Sequence, residues 1–200
     1  MKIPVDKNDL TGIVLAGGKS GRIGMDKGLM EWNGRMLVQY SIEALRPFCR
    51  QILISTNNEE YARFGFPLVE DKYPHIGPLG GLHASLSVSG SRHHMVLACD
   101  MPLVDHEIIR LLLAGSDNFQ AVVPVVNKRL IPVCGYYHSS VLPVLEKEIG
   151  AGLYKSALFL QRLRVNELLI TNPVLQNKFF NVNSIEDFKE LAALSPDIAK

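Results

Sequence analysis

Apolar residues in this chain are arranged in two ways, and the difference predicts its layers. Gly12-Ile13-Val14-Leu15-Ala16, Ile52-Leu53-Ile54 and His93 to Cys99 carry apolar residues without alternation, the pattern of strands covered on both faces, and the last run is apolar enough to be central. Met36 to Phe48 instead spaces Leu37, Tyr40, Ser41, Ala44, Leu45 and Phe48 three and four apart, which predicts an amphipathic helix closed near Pro47. Phe66 to Val69 predicts a short strand ending in Glu70-Asp71. Past it an irregular loop from Tyr73 turns into a helix that runs to about Ser89, and Asp105 to Leu113 predicts another helix. Strands and helices that alternate with no repeat of sequence predict a doubly wound parallel sheet.

Further along, the pattern changes. Ala121 to Val126 and Leu130 to Tyr137 are two β-type runs joined by Asn127-Lys128-Arg129, which suits a hairpin or a return strand. Pro124 and Pro132 place at least one of the two at an edge or a bulge. His138 to Ile149 and Ser156 to Arg164 predict helices about a flexible Gly150-Ala151-Gly152 joint. Val165 to Ile170 and Phe179 to Ser184 predict late strands, and Ser184 with Glu186 and Asp187 opens a last helix, Ile185 to Leu194. The expected class is α/β: a three-layer, doubly wound, mostly parallel sheet with a small antiparallel extension.

Composition narrows the class. Two hundred residues with 47% apolar content make a single domain, 1–200. A net charge of +1 with acids and bases well mixed excludes a surface built to coat nucleic acid, so any basic function is local. Cys49, Cys99 and Cys134 are odd in number, far apart and set in apolar runs, which speaks against a disulfide framework or a zinc ribbon and for a reducing cytoplasm. The first ten residues lack the apolar stretch of a signal peptide, and no run is long enough to span a membrane.

The chemistry begins where the first strand ends. Gly17 and Gly18 remove two side chains there, and Gly21 and Gly24 keep the next turn open enough for backbone N–H groups to converge on an anion. Lys19, Arg22 and Lys27 stand in that loop against one acid, Asp26, which makes it a phosphate site. It is neither a Walker A loop, because Gly18 takes the place of the lysine, nor a G-x-G-x-x-G turn, for which no frame exists. Asn57 and Asn58 end the second strand where an open sheet binds ligands, although such a pair also suits a plain turn. Gly80 and Gly81 in the first turn of a helix cost about 1 kcal/mol each against alanine. Either close ligand approach or tight helix packing offsets that. Asp100, at the end of the most apolar strand, is expensive to ionise without a partner. Magnesium is one such partner, and capping the following helix or accepting backbone N–H groups are the alternatives.

Four separated motifs resemble one family. Leu15-Ala16-Gly17-Gly18 with Ser20, Arg22, Gly24, Asp26 and Lys27 is similar to the L-A-G-G-x-S-x-R-M-G-x-D-K signature of the MobA-type molybdenum cofactor guanylyltransferases, with Ile23 in place of the usual methionine. Gly77-Pro78-Leu79-Gly80-Gly81 resembles its G-P-L-A-G, Cys99-Asp100-Met101-Pro102 its C-D-M-P, and Phe179 to Glu186 its F-x-N-V-N-T-P-E, with Ser184 and Ile185 as departures. The resemblance implies a Rossmann-like nucleotidyltransferase fold, a nucleotide-binding half at about 10–105 and an acceptor-binding half at about 106–195. It implies transfer of GMP from GTP to the terminal phosphate of molybdopterin carrying molybdenum, with Mg2+ as cofactor and no general base. Lys27, Arg22 and Asp100 would be catalytic. Leu15, Ala16, Gly17, Gly18, Lys27, Asn57, Asp71, Gly80 and Asp100 would bind the nucleotide, and Asp100 with Asn183 would hold the metal, Asn181 standing near. The region from Ala121 to Tyr137, with Pro132 to Tyr137 matching the motif, would face the acceptor. Implied protein partners are molybdoenzyme apoproteins or cofactor-insertion proteins. Three other readings compete: a cytidylyltransferase on the same cofactor, a sugar-phosphate nucleotidyltransferase, and an idle nucleotide-binding partner that delivers cofactor.

Overall fold

The structure, a computed structural model, describes residues 2–17, 26–73 and 75–193. The first strand, β1 (Leu10–Leu15), leads to a short hairpin, β2 (Glu31–Trp32) and β3 (Arg35–Met36), and then to helix α1 (Leu37–Leu45). Next come β4 (Gln51–Ser55), β5 (Leu68–Val69), α2 (Pro78–Val88), β6 (His93–Ala98) and α3 (His106–Ala114). The second half contributes β7 (Ala121–Val126), β8 (Arg129–Leu130), β9 (Cys134–His138), α4 (Leu142–Gly150), α5 (Ser156–Leu160), β10 (Val165–Leu169), α6 (Pro173–Asn177) and α7 (Ile185–Ala193).

One sheet runs through both halves in the order β10-β7-β9-β6-β1-β4-β5, with β8 paired to β7. β1 pairs in parallel with β4 and β6, β4 with β5, and β7 with β10. Only β9 on this path runs against its neighbours, β6 and β7. The small antiparallel portion is β9, set between β6 and β7, together with β8 on β7. A chain returning from β7 by a hairpin must reverse direction, and the unpaired edge of β6 receives it.

The lack of alternation in the strands has the expected cause. Leu10 and Val14 of β1 and Met95 and Leu97 of β6 join α1 and α3 in one core. Ile13 and Val96 pack against α2, α4 and α5 on the other face. Each such side chain contributes about 1.5–3 kcal/mol by leaving water. α2 lies close to the sheet: a Cβ on Gly81 would meet Ser55 Oγ at 2.5 Å and Leu15 Cδ2 at 3.1 Å. For this glycine, tight helix packing is the explanation.

Three elements differ from the sequence pattern. Leu130 to Tyr137 is one antiparallel excursion broken at Ile131-Pro132-Val133. There Ile131 N–H donates to Pro124 O at 3.0 Å, Val133 O accepts from Ala98 N–H at 2.8 Å, and the Tyr137 hydroxyl donates to Pro132 O at 2.7 Å. Pro124 falls where the partner of β7 changes from β9 to β8, so the missing proline N–H interrupts neither ladder. The helix expected from His138 starts as a 3-10 turn, Ser139–Val141, before α4. Phe179 to Ser184 forms no strand, because its backbone is spent on single ties, chiefly Val182 N–H to Asp100 O at 2.9 Å. Ser184 does open α7: its Oγ accepts from Asp187 N–H at 3.0 Å, while Asp187 Oδ2 accepts from Ser184 N–H at 2.8 Å.

The turn between β7 and β8 carries positive φ at Asn127 (49°) and at Lys128 (65°). A two-residue hairpin asks for this conformation and usually meets it with Asn-Gly. A lysine at the second position costs about 1 kcal/mol. Among the described residues no helix is long and apolar enough to cross a membrane.

Candidate active site

The carboxyl ends of β1 and β6 converge on one cavity of about 330 Å³. Leu15, Ala16 and Gly17 form one wall as β1 leaves the sheet, fastened by Ala16 N–H to Ser55 O at 2.9 Å and Cys99 N–H to Leu15 O at 3.0 Å. Asp100 and Lys27 face each other across it, with Lys27 Nζ 3.0 Å from Asp100 Oδ2 and each side chain 17% exposed. Lys27 Nζ also donates to Asn183 Oδ1 at 2.9 Å. Two charges about 4 Å apart at an effective dielectric of 20 interact by roughly 4 kcal/mol. Lys27 and Asp100 are 73 residues apart in sequence, and Lys27 and Asn183 are 156 apart. The sheet brings all three to one point.

Asp100 does not cap the helix that follows it. Asp105 does, its Oδ1 accepting from Glu107 N–H at 3.1 Å and Ile108 N–H at 3.3 Å. Asp100 Oδ1 and Asn181 Oδ1 are both buried with no hydrogen-bond partner among the described residues. Buried oxygens without partners are costly. A hard cation that takes oxygen ligands fits this donor set. Among the described residues no group of three or more His, Cys, Asp or Glu side chains is placed to hold a metal ion. Burial holds the neighbouring Cys99 thiol well above its ordinary pKa, so it stays protonated and inert.

Lys27 is aimed by the residue before it. Asp26 Oδ1 accepts from the Tyr61 hydroxyl at 2.5 Å and from Gly28 N–H at 3.1 Å, and Asp26 Oδ2 accepts from Asn58 Nδ2 at 3.0 Å. Tyr61 is fully buried, and its hydroxyl fills the space beside Gly28, where a Cβ would lie 2.2 Å from it. Burial, together with the Asp26 carboxylate that accepts its hydrogen bond, pushes the phenol far above its usual pKa, so it remains a donor. The 3-10 turn Lys27–Leu29 is thus moulded around one hydroxyl. Tyr61→Phe is expected to lower unfolding free energy by about 2 kcal/mol through loss of a hydrogen bond to a charged group. Denaturant titration measures this, and an unchanged midpoint contradicts the coupling.

Asn57, Asp71 and Gly80 form a neighbouring cluster. Asn57 Oδ1 accepts from Asp71 N–H at 2.8 Å, Asp71 Oδ1 accepts from Tyr73 N–H at 2.8 Å, and a Cβ on Gly80 would lie 2.3 Å from Asp71 Oδ2. Gly80 is therefore glycine to admit the Asp71 carboxylate over the first turn of α2. Gly77 and Pro78, which start that helix, line the cavity and join the cluster to it. Gly18 and Arg22, with Lys19, Gly21 and Gly24, lie outside the described residues. The sequence pattern missed Tyr61, for which it holds no signal, and treated Asn58 as a turn residue, although the polar Ser55-Thr56-Asn57-Asn58 exit was the available clue.

A model of the MobA-like NTP transferase domain matches residues 12–165. A Carboxydothermus hydrogenoformans protein described as a probable molybdenum cofactor guanylyltransferase is 31% identical over 187 residues, covering 92% of this chain and 95% of the relative. The molybdenum cofactor guanylyltransferase of Vibrio cholerae is 31% identical over 194 residues, 94% of each chain. Among solved structures, molybdopterin-guanine dinucleotide biosynthesis protein A from Archaeoglobus fulgidus superposes with a TM-score of 0.76 at 29% identity, covering 90% of this chain and 95% of that one.

Proposed function

The chain belongs to the MobA-like NTP transferase family, and from that premise we propose that it transfers GMP from GTP to the terminal phosphate of molybdopterin carrying molybdenum. The observation that carries this reading is the meeting of Lys27, Asp100 and Asn183 at the exits of β1 and β6, with a second Asp100 oxygen open to a cation. The names of the relatives supply the base and the acceptor.

In the reaction an acceptor phosphate oxygen forms a bond to the α-phosphorus. The bond from that phosphorus to the bridging oxygen breaks, and its electron pair leaves with pyrophosphate. The attacking oxygen is already anionic, so no general base is assigned. The protein's work is to bring two mutually repelling anions together and to offset charge as it shifts to the leaving group. Lys27 and Arg22 would balance the triphosphate, the Gly17 and Gly18 amides would receive its outer phosphates, and Leu15 and Ala16 would line its path. Asn57, Asp71 and Gly80 would take the nucleoside. Asp100 would hold Mg2+, whose charge offsets that of the phosphates. Asn183 Oδ1 is occupied by Lys27, so of the two asparagines Asn181 has the oxygen open to a cation. Cys49, Cys99 and Cys134 are free and buried, which accords with work in the cytoplasm and handover to apoenzymes or insertion proteins there.

Thermal unfolding with magnesium and each nucleoside triphosphate in turn tests the base. At a hundred times its dissociation constant a ligand adds about 2.7 kcal/mol, which for a chain of this size raises the midpoint by roughly 5 to 10 °C. GTP is expected to do so selectively. Selective stabilisation by CTP would move the protein to the cytidylyl relatives, and no pyrophosphate release with GTP and the molybdenum-loaded pterin would end the transferase reading.

A further inference from the structure

At the end of the sheet away from Asp100, where β6, β7 and β10 begin, four neighbouring strands carry one polar row. His93 of β6 is directly opposite His138 of β9. His138 N–H donates to Gln120 O at 2.8 Å and Gln120 N–H donates to Arg164 O at 2.9 Å, so Gln120 and Arg164, each just ahead of its strand, continue the row. All four residues line one cavity of about 290 Å³, with Asp117 and Phe119 of the α3–β7 connection on its wall. That volume suits a small molecule.

The two imidazoles are held in a defined orientation. Ser140 N–H donates to His138 Nδ1 at 3.2 Å, and the Tyr136 hydroxyl is 2.7 Å from His93 Nδ1. Tyr136 is 1% exposed, burial pushes its pKa up to about 12, and His93 is its only acceptor among the described residues, so the hydroxyl is the donor. Burial also holds both imidazoles below their ordinary pKa. A neutral ring whose Nδ1 accepts a hydrogen bond carries its proton on Nε2. Each ring therefore offers an N–H, and neither Nε2 has a hydrogen-bond partner among the described residues. A nitrogen in that state donates to an anion and does not ligate a metal.

The charges around the rings point the same way. Arg164 makes no ion pair with a described residue, whereas Asp9 is taken by Arg92. Asp117, which is exposed, is the one carboxylate among the residues lining the cavity.

We propose that this cavity is a second ligand site, which takes a small organic phosphate with its phosphoryl oxygens on Arg164, His93 and His138. A guanidinium gives a phosphate two parallel N–H donors, and charge-assisted bonds of this kind are roughly twice as strong as neutral ones. Phe119 gives the organic part an apolar surface. The site is at the opposite end of β6 from Asp100, and it does not depend on the transferase reading.

The test follows the histidine ring resonances of the full chain by NMR during titration with inorganic phosphate and with glycerol 2-phosphate, against sodium chloride at equal ionic strength. Both phosphates are expected to shift His93 and His138 along saturating curves, with half-saturation on the order of a millimolar, and chloride is not. The same curves are expected in Lys27→Ala, because the Lys27 corner is at the other end of the sheet. Arg164→Ser is expected to weaken binding about tenfold. His138→Asn keeps an acceptor for Ser140 N–H but removes the ring N–H, and is expected to weaken the His93 response by about as much, with turnover and unfolding midpoint unaltered. Phosphate shifts that only match those of chloride, or that keep full affinity in Arg164→Ser and His138→Asn, overturn the site.

Discussion

Asp100→Asn is expected to lower turnover on the order of a hundredfold to a thousandfold at saturating GTP, with the fold intact. The substitution keeps the shape of the side chain and removes one charge. Lys27 still has Asn183 Oδ1 at 2.9 Å, so its ammonium is not stranded. Asp100 Oδ1, buried and without a described partner, no longer has to be desolvated as part of an anion. Lys27 loses its counter-charge, but because it is 17% exposed and still bonded to Asn183 the cost is smaller than for a fully buried pair. Activity and stability should therefore separate. Steady-state turnover, with unfolding midpoints recorded with and without magnesium, provides the check. Turnover within a few fold of normal, or a midpoint with GTP that still responds to magnesium as before, removes Asp100 from its assigned role.

Lys27→Ala is expected to fall by a similar factor in turnover, yet to differ in stability. Removing the ammonium leaves the Asp100 carboxylate in place with no partner among the described residues. An unfolding free energy lower by about 2 kcal/mol follows, less than for a fully buried pair because both side chains are 17% exposed. The double variant should be less impaired than the product of the single effects, since residues acting as one unit do not add. A full product of the two losses would mean that they stabilise the reaction independently.

The parts of the fold that were legible in the sequence are those set by local pattern. β1, β4 and β6 carry apolar residues to both faces, and no other pattern fits their neighbours. The placement of β9 was not legible, because it depends on which strand edge is free when the chain returns from β7. Phe179 to Ser184 has the aromatic and branched residues of a strand, but no ladder is within its reach. At the site, Lys27 and Asp100 were readable as charges at the ends of apolar runs, where ionisation demands partners. Tyr61 and Asn58 act on Asp26 from 35 and 32 residues away. Only packing brings them together, and a tyrosine in a short helical turn gives no hint of it. The hairpin was legible from its turn residues.

The tie between Lys27 and Asn183 bears on how the protein is made. Synthesis proceeds from the amino terminus, so β1, β4, β5 and β6 can pair while later segments are still inside the ribosome. Asn181, Asn183 and the Val182 link to Asp100 arrive long after β6. A nascent chain can therefore hold most of its parallel sheet and still lack a finished reaction centre. Chains released early would keep the basic corner at Lys27 without the residues that complete it. Competence waits for the segment before α7, which supplies the ties to Lys27 and Asp100.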